Sequence, residues 1–182
     1  MNAVYIATSL DGYIAKEDGN IDWLMNLPNP TQSDYGFSVF LERMDAIVMG
    51  RKSFETVLGF KEWFYPKTLP VFVLSNSLKA LPDLPAKVEI VKGELKNIIA
   101  SLRSRGINNL YIDGGKTIQS FLKEDLIDEM IITRVPILLG AGIPLFDKNN
   151  RELEFEHTGT EVFNNILVRS RYVRKVKSLP VS

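Results

Sequence analysis

Cysteine is absent from this chain of 182 residues. That excludes disulfides, thiolate catalysis and every cysteine-ligated metal centre. Histidine occurs once, at His157. With no G-x-S-x-G stretch beside it, a Ser-His-acid triad has nothing to build on, and no zinc-ligand spacing exists, so no metal site is expected. An excess of charge of either sign is also missing, with 22 Lys and Arg against 22 Asp and Glu. A balanced chain lacks the basic field that nucleic acid or an anionic membrane surface requires, and neither is expected as a partner. No apolar run approaches the roughly 18 residues of a membrane span. The opening "MNAVYIATSLDGYIA" has no basic segment and meets Asp11 too early for a signal peptide. The expectation is a cytoplasmic protein. With 45% hydrophobic residues and no repeat, linker or low-complexity stretch, residues 1–182 read as one domain with a sizeable core.

What is present alternates between two periodicities. "AVYIATS" (3–9), "DAIVMG" (45–50), "LPVFVLSNS" (69–77), "VEIV" (88–91), "NNLYIDGG" (108–115) and "IDEMIITRVPIL" (127–138) are apolar runs of buried-strand character. "GELKNIIASLRSRG" (93–106) spaces Leu95, Ile98, Ile99 and Leu102 helically and ends on Arg and Gly. Short helices are predicted after Gly50 and over 116–124. A further helix is predicted over 33–43, with Phe37, Phe40 and Leu41 on one face and Ser33 as N-cap. "LDGYIAKEDGNIDW" (10–23), with two Asp-Gly pairs, reads as a turn-rich loop. Residues 152–175 read as a final hairpin turning near "FNN". Strands alternating with helices, then strands alone, indicate an α/β fold: a mostly parallel sheet with an antiparallel edge.

Three strand ends share a chemistry: Gly50-Arg51-Lys52-Ser53, Ser75-Asn76-Ser77 and Gly114-Gly115-Lys116-Thr117. Ligands of open α/β sheets sit beyond the carboxyl ends of strands, and helix N-termini offer free N–H groups to anions. Cations at a helix start oppose its positive end by a few tenths of a kcal/mol each. Arg51, Lys52 and Lys116 make sense there if phosphate lies between them. Any one of them alone is better read as a solvated surface residue. Three such endings together favour a phosphate-rich ligand. "RSRYVRKVK" (169–177) reads instead as a solvated edge face, and Trp63-Phe64-Tyr65 as loop packing or a dimer contact.

The segments "VYIATSLDGYIA", "DAIVMGRKSFE", "VFVLSNS" and "LYIDGGKTIQSFL", in this order, resemble dihydrofolate reductase. They are more similar still to the dihydrofolate-reductase-like group that includes the reductase domain of bacterial riboflavin biosynthesis. The resemblance implies a three-layer α/β/α fold, a mostly parallel central sheet with an antiparallel C-terminal hairpin at its edge, and NADPH as cofactor. Arg51 and Lys52, beside Gly50 and Ser53, would then face the 2′-phosphate or the pyrophosphate. Ser75 and Asn76 would flank the adenosine, and Gly114, Gly115, Lys116 and Thr117 would hold the pyrophosphate. Ala7 and Ile14 would line the nicotinamide pocket, under a mobile loop (10–23) that ends at Trp23 beside the substrate.

Asp34, sixteen positions before Gly50, would be the substrate carboxylate and acid, its pKa raised by burial. The plainer account of Asp34 is a first-turn residue favoured by the helix dipole. The resemblance further implies an unusual backbone at Gly114-Gly115, with a cis peptide. A homodimer is expected from the same resemblance and from the apolar stretch 60–72. Two features depart from the pattern. There are two glycines rather than three, and "SFETVLGFKEWFYPK" stands where an Asn-Pro-containing stretch is usual, which argues against a phosphoribosyl substrate. The function expected is hydride transfer from NADPH to a small heterocycle, pterin- or riboflavin-precursor-like. The alternative is a nucleotide-binding protein of the same fold without efficient catalysis. Asp34 discriminates: in an open cleft it supports the enzyme, as a mere cap the binding protein.

Overall fold

The computed structural model describes residues 1–148 and 152–175. The first half of the chain forms β1 (Asn2–Thr8), β2 (Tyr13–Ala15), α1 (Asp22–Met25), α2 (Phe37–Leu41), β3 (Ala46–Gly50), α3 (Arg51–Leu58), β4 (Val71–Leu74) and β5 (Val88–Val91). The second half forms α4 (Leu95–Ser104), β6 (Leu110–Asp113), α5 (Gly115–Lys123), β7 (Glu129–Arg134), β8 (Ile143–Pro144), β9 (Phe155–Phe163) and β10 (Leu167–Arg174). Eight strands make one sheet in the order β5-β4-β3-β6-β1-β7-β10-β9, and β2 pairs with β8 in a small second sheet. The strands from β5 to β7 run parallel, and β10 and β9 close the edge antiparallel. This is the dihydrofolate-reductase-like α/β architecture that the sequence implies.

The continuous apolar strands follow from being covered on both faces. In β3, Ile47 and Met49 point one way, into a layer with Phe40 and Leu41 of α2 and Phe54 and Val57 of α3. Ala46 and Val48 point the other way, toward Ile98, Ile99 and Leu102 of α4 and Ile118, Phe121 and Leu122 of α5. Each fully buried large side chain, such as Phe54, Phe72 or Phe121, contributes roughly 1.5–3 kcal/mol. The layers hold the carboxyl ends of β3, β4, β6 and β1 side by side.

Several local expectations change. Residues 10–23 hold β2 and the start of α1, so the stretch is partly ordered into the small sheet. The helix predicted over 33–43 shrinks to Phe37–Leu41, because Tyr35 and Gly36 take positive φ of 54° and 83° and no helix passes through such a pair. Gly36 is therefore the N-cap, and the Ser33 hydroxyl accepts instead from the Tyr35 N–H. The long strand over 127–138 ends at Arg134. The last hairpin pairs Phe163 with Leu167 across a three-residue loop, in which Asn164 and Asn165 take positive φ and the Ile166 N–H closes a turn on the Phe163 carbonyl.

The basic strand is also less solvated than expected. Arg169 and Arg174 keep only 16% and 12% side-chain exposure, against Glu161 and Asp125. Arg171 joins Arg43 on the buried Glu129. Val176 and Lys177, at the end of that run, lie outside the described residues.

Candidate active site

Register brings the three strand endings together. Met49 of β3 lies opposite Asp113 of β6, and Gly50 opposite Leu74 of β4. The helices α3 and α5 therefore start next to each other, and glycine makes the fit. A Cβ on Gly50 would lie 2.9 Å from the Thr117 hydroxyl, and one on Gly115 would lie 2.7 Å from Ile14 Cδ1. A Cβ on Gly114 would collide with the Ser53 hydroxyl. Neither helix has a side-chain cap or an acidic residue in its first turn. Apart from the Gly114 N–H, which bonds to Asp113, their leading N–H groups meet no side-chain cap among the described residues, an arrangement suited to anions.

Around this double helix start stand the predicted cations. Lys52 and Lys116 are exposed. Arg51 sits 3.6 Å from Glu55, an exposed pair worth little, so its guanidinium stays available. Ser75 shapes the neighbouring turn by accepting from the N–H groups of Ser77 and Leu78, and Asn76 follows it exposed. Ala7, half-buried, lies near the carboxyl end of β1, the strand next to β6.

The backbone at Gly114 is unusual, with φ 89° and ψ 137°, but no cis peptide occurs among the described residues. A positive φ at glycine turns the chain from β6 into α5 on a trans bond, so the cis expectation is corrected.

Asp34 is corrected in placement and in charge. It precedes α2 by a turn, is exposed, and accepts from the N–H groups of Gly36 and Ser38, both at 2.9 Å. The Ser38 hydroxyl and these N–H groups hold its pKa below the usual carboxylate range, the reverse of the rise expected from burial. Its geometry is that of a cap. Trp23 packs with Val135 and Leu167, in a cluster separate from the two that flank the glycines, and its buried indole N–H has no hydrogen-bond partner among the described residues.

The carboxylate that does stand at the strand ends is Asp113. It is the last residue of β6, directly before Gly114. Tyr65 donates to its Oδ2 at 3.2 Å, and Tyr111 reaches its Oδ1 at 3.3 Å and the Tyr5 carbonyl at 3.0 Å. Part of the residue stays open to solvent, yet protein atoms crowd the carboxyl group. Desolvation pushes its pKa up, against hydrogen bonds from Tyr65, the Gly114 N–H and Tyr111. Burial likewise pushes both tyrosines well above their ordinary value.

The surrounding rings make a wall. Tyr65 lies 5.1 Å from Phe64, 6.3 Å from Trp63 and 6.5 Å from Phe37, centroid to centroid. Sequence reasoning missed Asp113 although it adjoins the glycine pair; its position as the last residue of a buried strand was the available signal. The apolar stretch 60–72 turns Tyr65 and Leu69 inward and leaves Phe64 exposed.

Comparison with known proteins gives a consistent set. The family model described as the RibD C-terminal domain matches residues 3–168. A structure from Shewanella sp. PV-4, named for riboflavin biosynthesis, is 52% identical with a TM-score of 0.91, over 96% of this chain and 99% of that one. The uncharacterised protein YwjB of Bacillus subtilis (strain 168) is 37% identical over 172 residues, 94% of this chain and 96% of that one. Dihydrofolate reductase from Enterococcus faecalis, complexed with NADP(H), is 14% identical with a TM-score of 0.67, over 97% of both chains, and shares the fold.

Proposed function

The chain belongs to the RibD C-terminal domain family, and on that footing we propose that it is an NADPH-dependent reductase of a small heterocyclic substrate. The observation that carries this reading is the pairing of two uncapped, glycine-lined helix starts with a crowded carboxyl group one residue away. The residues present fit the cofactor. A side chain at Gly50, Gly114 or Gly115 would strike Thr117, Ser53 or Ile14, so the glycines let the two helix starts close up beside each other, where their backbone N–H groups suit a pyrophosphate. Gly114, Gly115, Lys116 and Thr117, with Gly50 and Ser53, would hold that group. Arg51 and Lys52 would meet the 2′-phosphate, and Ser75 and Asn76 would flank the adenosine. Ala7 and Ile14 would border the nicotinamide, which supplies a hydride when bound.

The protein's own part is orientation and a proton. Asp113, its pKa raised, keeps a proton at higher pH than an ordinary carboxyl and can donate it from Oδ1 or Oδ2 to a ring nitrogen beside the reduced carbon. Tyr111 fixes that carboxyl group. Phe37, Phe64 and Tyr65 would border a flat ring placed beside that carboxyl group. NADPH oxidation by the purified protein across a panel of heterocycles, dihydrofolate and riboflavin precursors included, tests the reading; no substrate-dependent oxidation by any of them would reject it.

One observation favours a second reading, a nucleotide-binding protein without efficient chemistry. Asp34 spends its carboxylate on capping. Tight NADPH binding with no turnover would establish it. A homodimer belongs to the same proposal, supported by the exposed cross-strand pair Val162 and Val168.

A further inference from the structure

A cavity of about 470 Å³ lies between α2, β7 and the hairpin of β9 and β10, and it shares no lining residue with the site at the strand ends. Its size suits a small molecule. One carboxylate sets its charge. Glu129, the first residue of β7, is 1% exposed and takes both Arg43, at 2.7 Å, and the Nε of Arg171. A buried carboxylate needs such partners, but here one negative charge faces two positive ones. The third arginine of the wall, Arg169, is matched by Glu161 at 2.7 Å, and its Nη1 serves the Tyr5 hydroxyl and the Tyr35 carbonyl. Three arginines against two carboxylates leave one positive charge in excess. With Nε on Glu129, neither Nη of Arg171 has a hydrogen bond among the described residues, and the side chain is 48% exposed. Those two nitrogens form a planar fork that fits a carboxylate or phosphate with two hydrogen bonds.

The hairpin leaves room in front of that fork. Gly159 of β9 lies opposite Arg171, and a Cβ placed on it would meet no atom within 4 Å. Its φ is not positive, so the backbone does not call for glycine. Beside this pair the register shifts, with Thr158 as the extra residue of a bulge. A glycine inside a strand weakens it, and a bulge re-aims its neighbours. Both are features of strands that another molecule approaches closely. The facing wall is apolar, made by Val39, Phe40 and Ile131, and Val39 is left 64% exposed.

We propose that this cavity binds a small organic anion. Its carboxylate or phosphate group sits on the fork of Arg171 beside Arg43, and its apolar body lies against Val39 and Phe40. The charged end of the cavity is at the amino ends of β1 and β7, where Glu129 pairs with Ala3, whereas the glycine turns follow the carboxyl ends of β3 and β6. The anion is thus a ligand additional to those of the reductase reading, and its binding does not depend on that reading.

Calorimetry on the full chain tests it, with benzoate, phenyl phosphate and benzyl alcohol as probes, each with and without NADPH. At least one of the two anions should bind wild type about tenfold or more tighter than benzyl alcohol, whether or not NADPH is present. The tighter of the two identifies the head group. Gly159→Val fills the space before Arg171 without touching a charge. Val39→Glu sets a like charge against the anion. Each should weaken binding by about tenfold or more at an unchanged denaturant midpoint. The two substitutions lie on separate elements, so a loss of fold in one leaves the other as the test. No binding of either anion, equal binding of benzyl alcohol, displacement of the anion by NADPH, or unchanged binding in either folded variant would each overturn the proposal.

Discussion

Desolvation raises the pKa of Asp113, so the folded protein holds that proton more tightly than the unfolded chain does. The contribution to stability is fully present below the unfolded value, near pH 4, and is lost as pH rises through the folded value. Asp34 works the other way. Its pKa is lowered, so its contribution is present above about pH 4 and disappears as pH falls through the folded value. Denaturant titrations at pH 4.5 and 7 should show wild type losing stability relative to Asp113→Asn across that interval. Asp34→Ala should cost about 1 kcal/mol at pH 7, as a lost cap does, and less at pH 3.5. Asp34→Asn also separates its two roles. A substrate acid would lose about 10²–10⁴-fold in turnover, whereas a cap leaves turnover near wild type, the outcome that its hydrogen bonds predict. Arg51 and Lys52 should favour NADPH over NADH by about tenfold or more, since a charge-assisted contact is worth roughly 1.5–3 kcal/mol. Fluorescence titration of wild type and the Arg51→Ala, Lys52→Ala pair checks this; equal affinities in wild type would remove the cations from the cofactor site. That these cations, the glycines, Ser53 and Thr117 stand at neighbouring strand ends was legible from residue type and position after a strand; that they hold a cofactor is the proposal that the titration tests. The two readings of Asp34 could not be separated in the sequence, because its exposure follows from Tyr35 and Gly36, whose positive φ values stop the helix short.

At the scale of elements, β3 with α3 and β6 with α5 are two copies of one device: a buried strand, a glycine turn and an uncapped helix. Each copy alone is a weak anion site, and register makes them adjacent. Gly114→Ala tests the device. It forces a side chain into a φ of 89° and toward the Ser53 hydroxyl. The expected cost is about 1–3 kcal/mol from the backbone alone, seen as a lower denaturant midpoint, together with loss of NADPH binding. Retained NADPH affinity in a folded Gly114→Ala protein would remove the pyrophosphate from this turn. The strands and α4 were readable from period and length, since α4 buries Ile98, Ile99 and Leu102 as its spacing requires. The small sheet of β2 and β8 was not, because its two partners are 3 and 2 residues long and lie far apart in sequence. The inward turn of Tyr65 escaped for a related reason: nothing local says that an aromatic loop will end on a distant carboxyl group.

For the molecule as a whole, the proposed dimer has a direct check. Light scattering at micromolar concentration should return twice the chain mass, and a monomer mass would end that part of the proposal. Strand order was only coarsely legible, since alternation of strands and helices announces a parallel sheet without saying which strand is central. The order found has a temporal meaning. β1 precedes the other strands of its sheet in the chain, yet it sits inside that sheet, with Asn2 opposite Leu110 and Ala3 opposite Glu129. At roughly 5–20 residues per second, both neighbours are absent for on the order of 5–20 s after β1 is made. Throughout that interval β1, an apolar strand, lacks both of the strands it pairs with. Its protection in that time is a matter for chaperones and synthesis rate rather than for any contact within the finished fold.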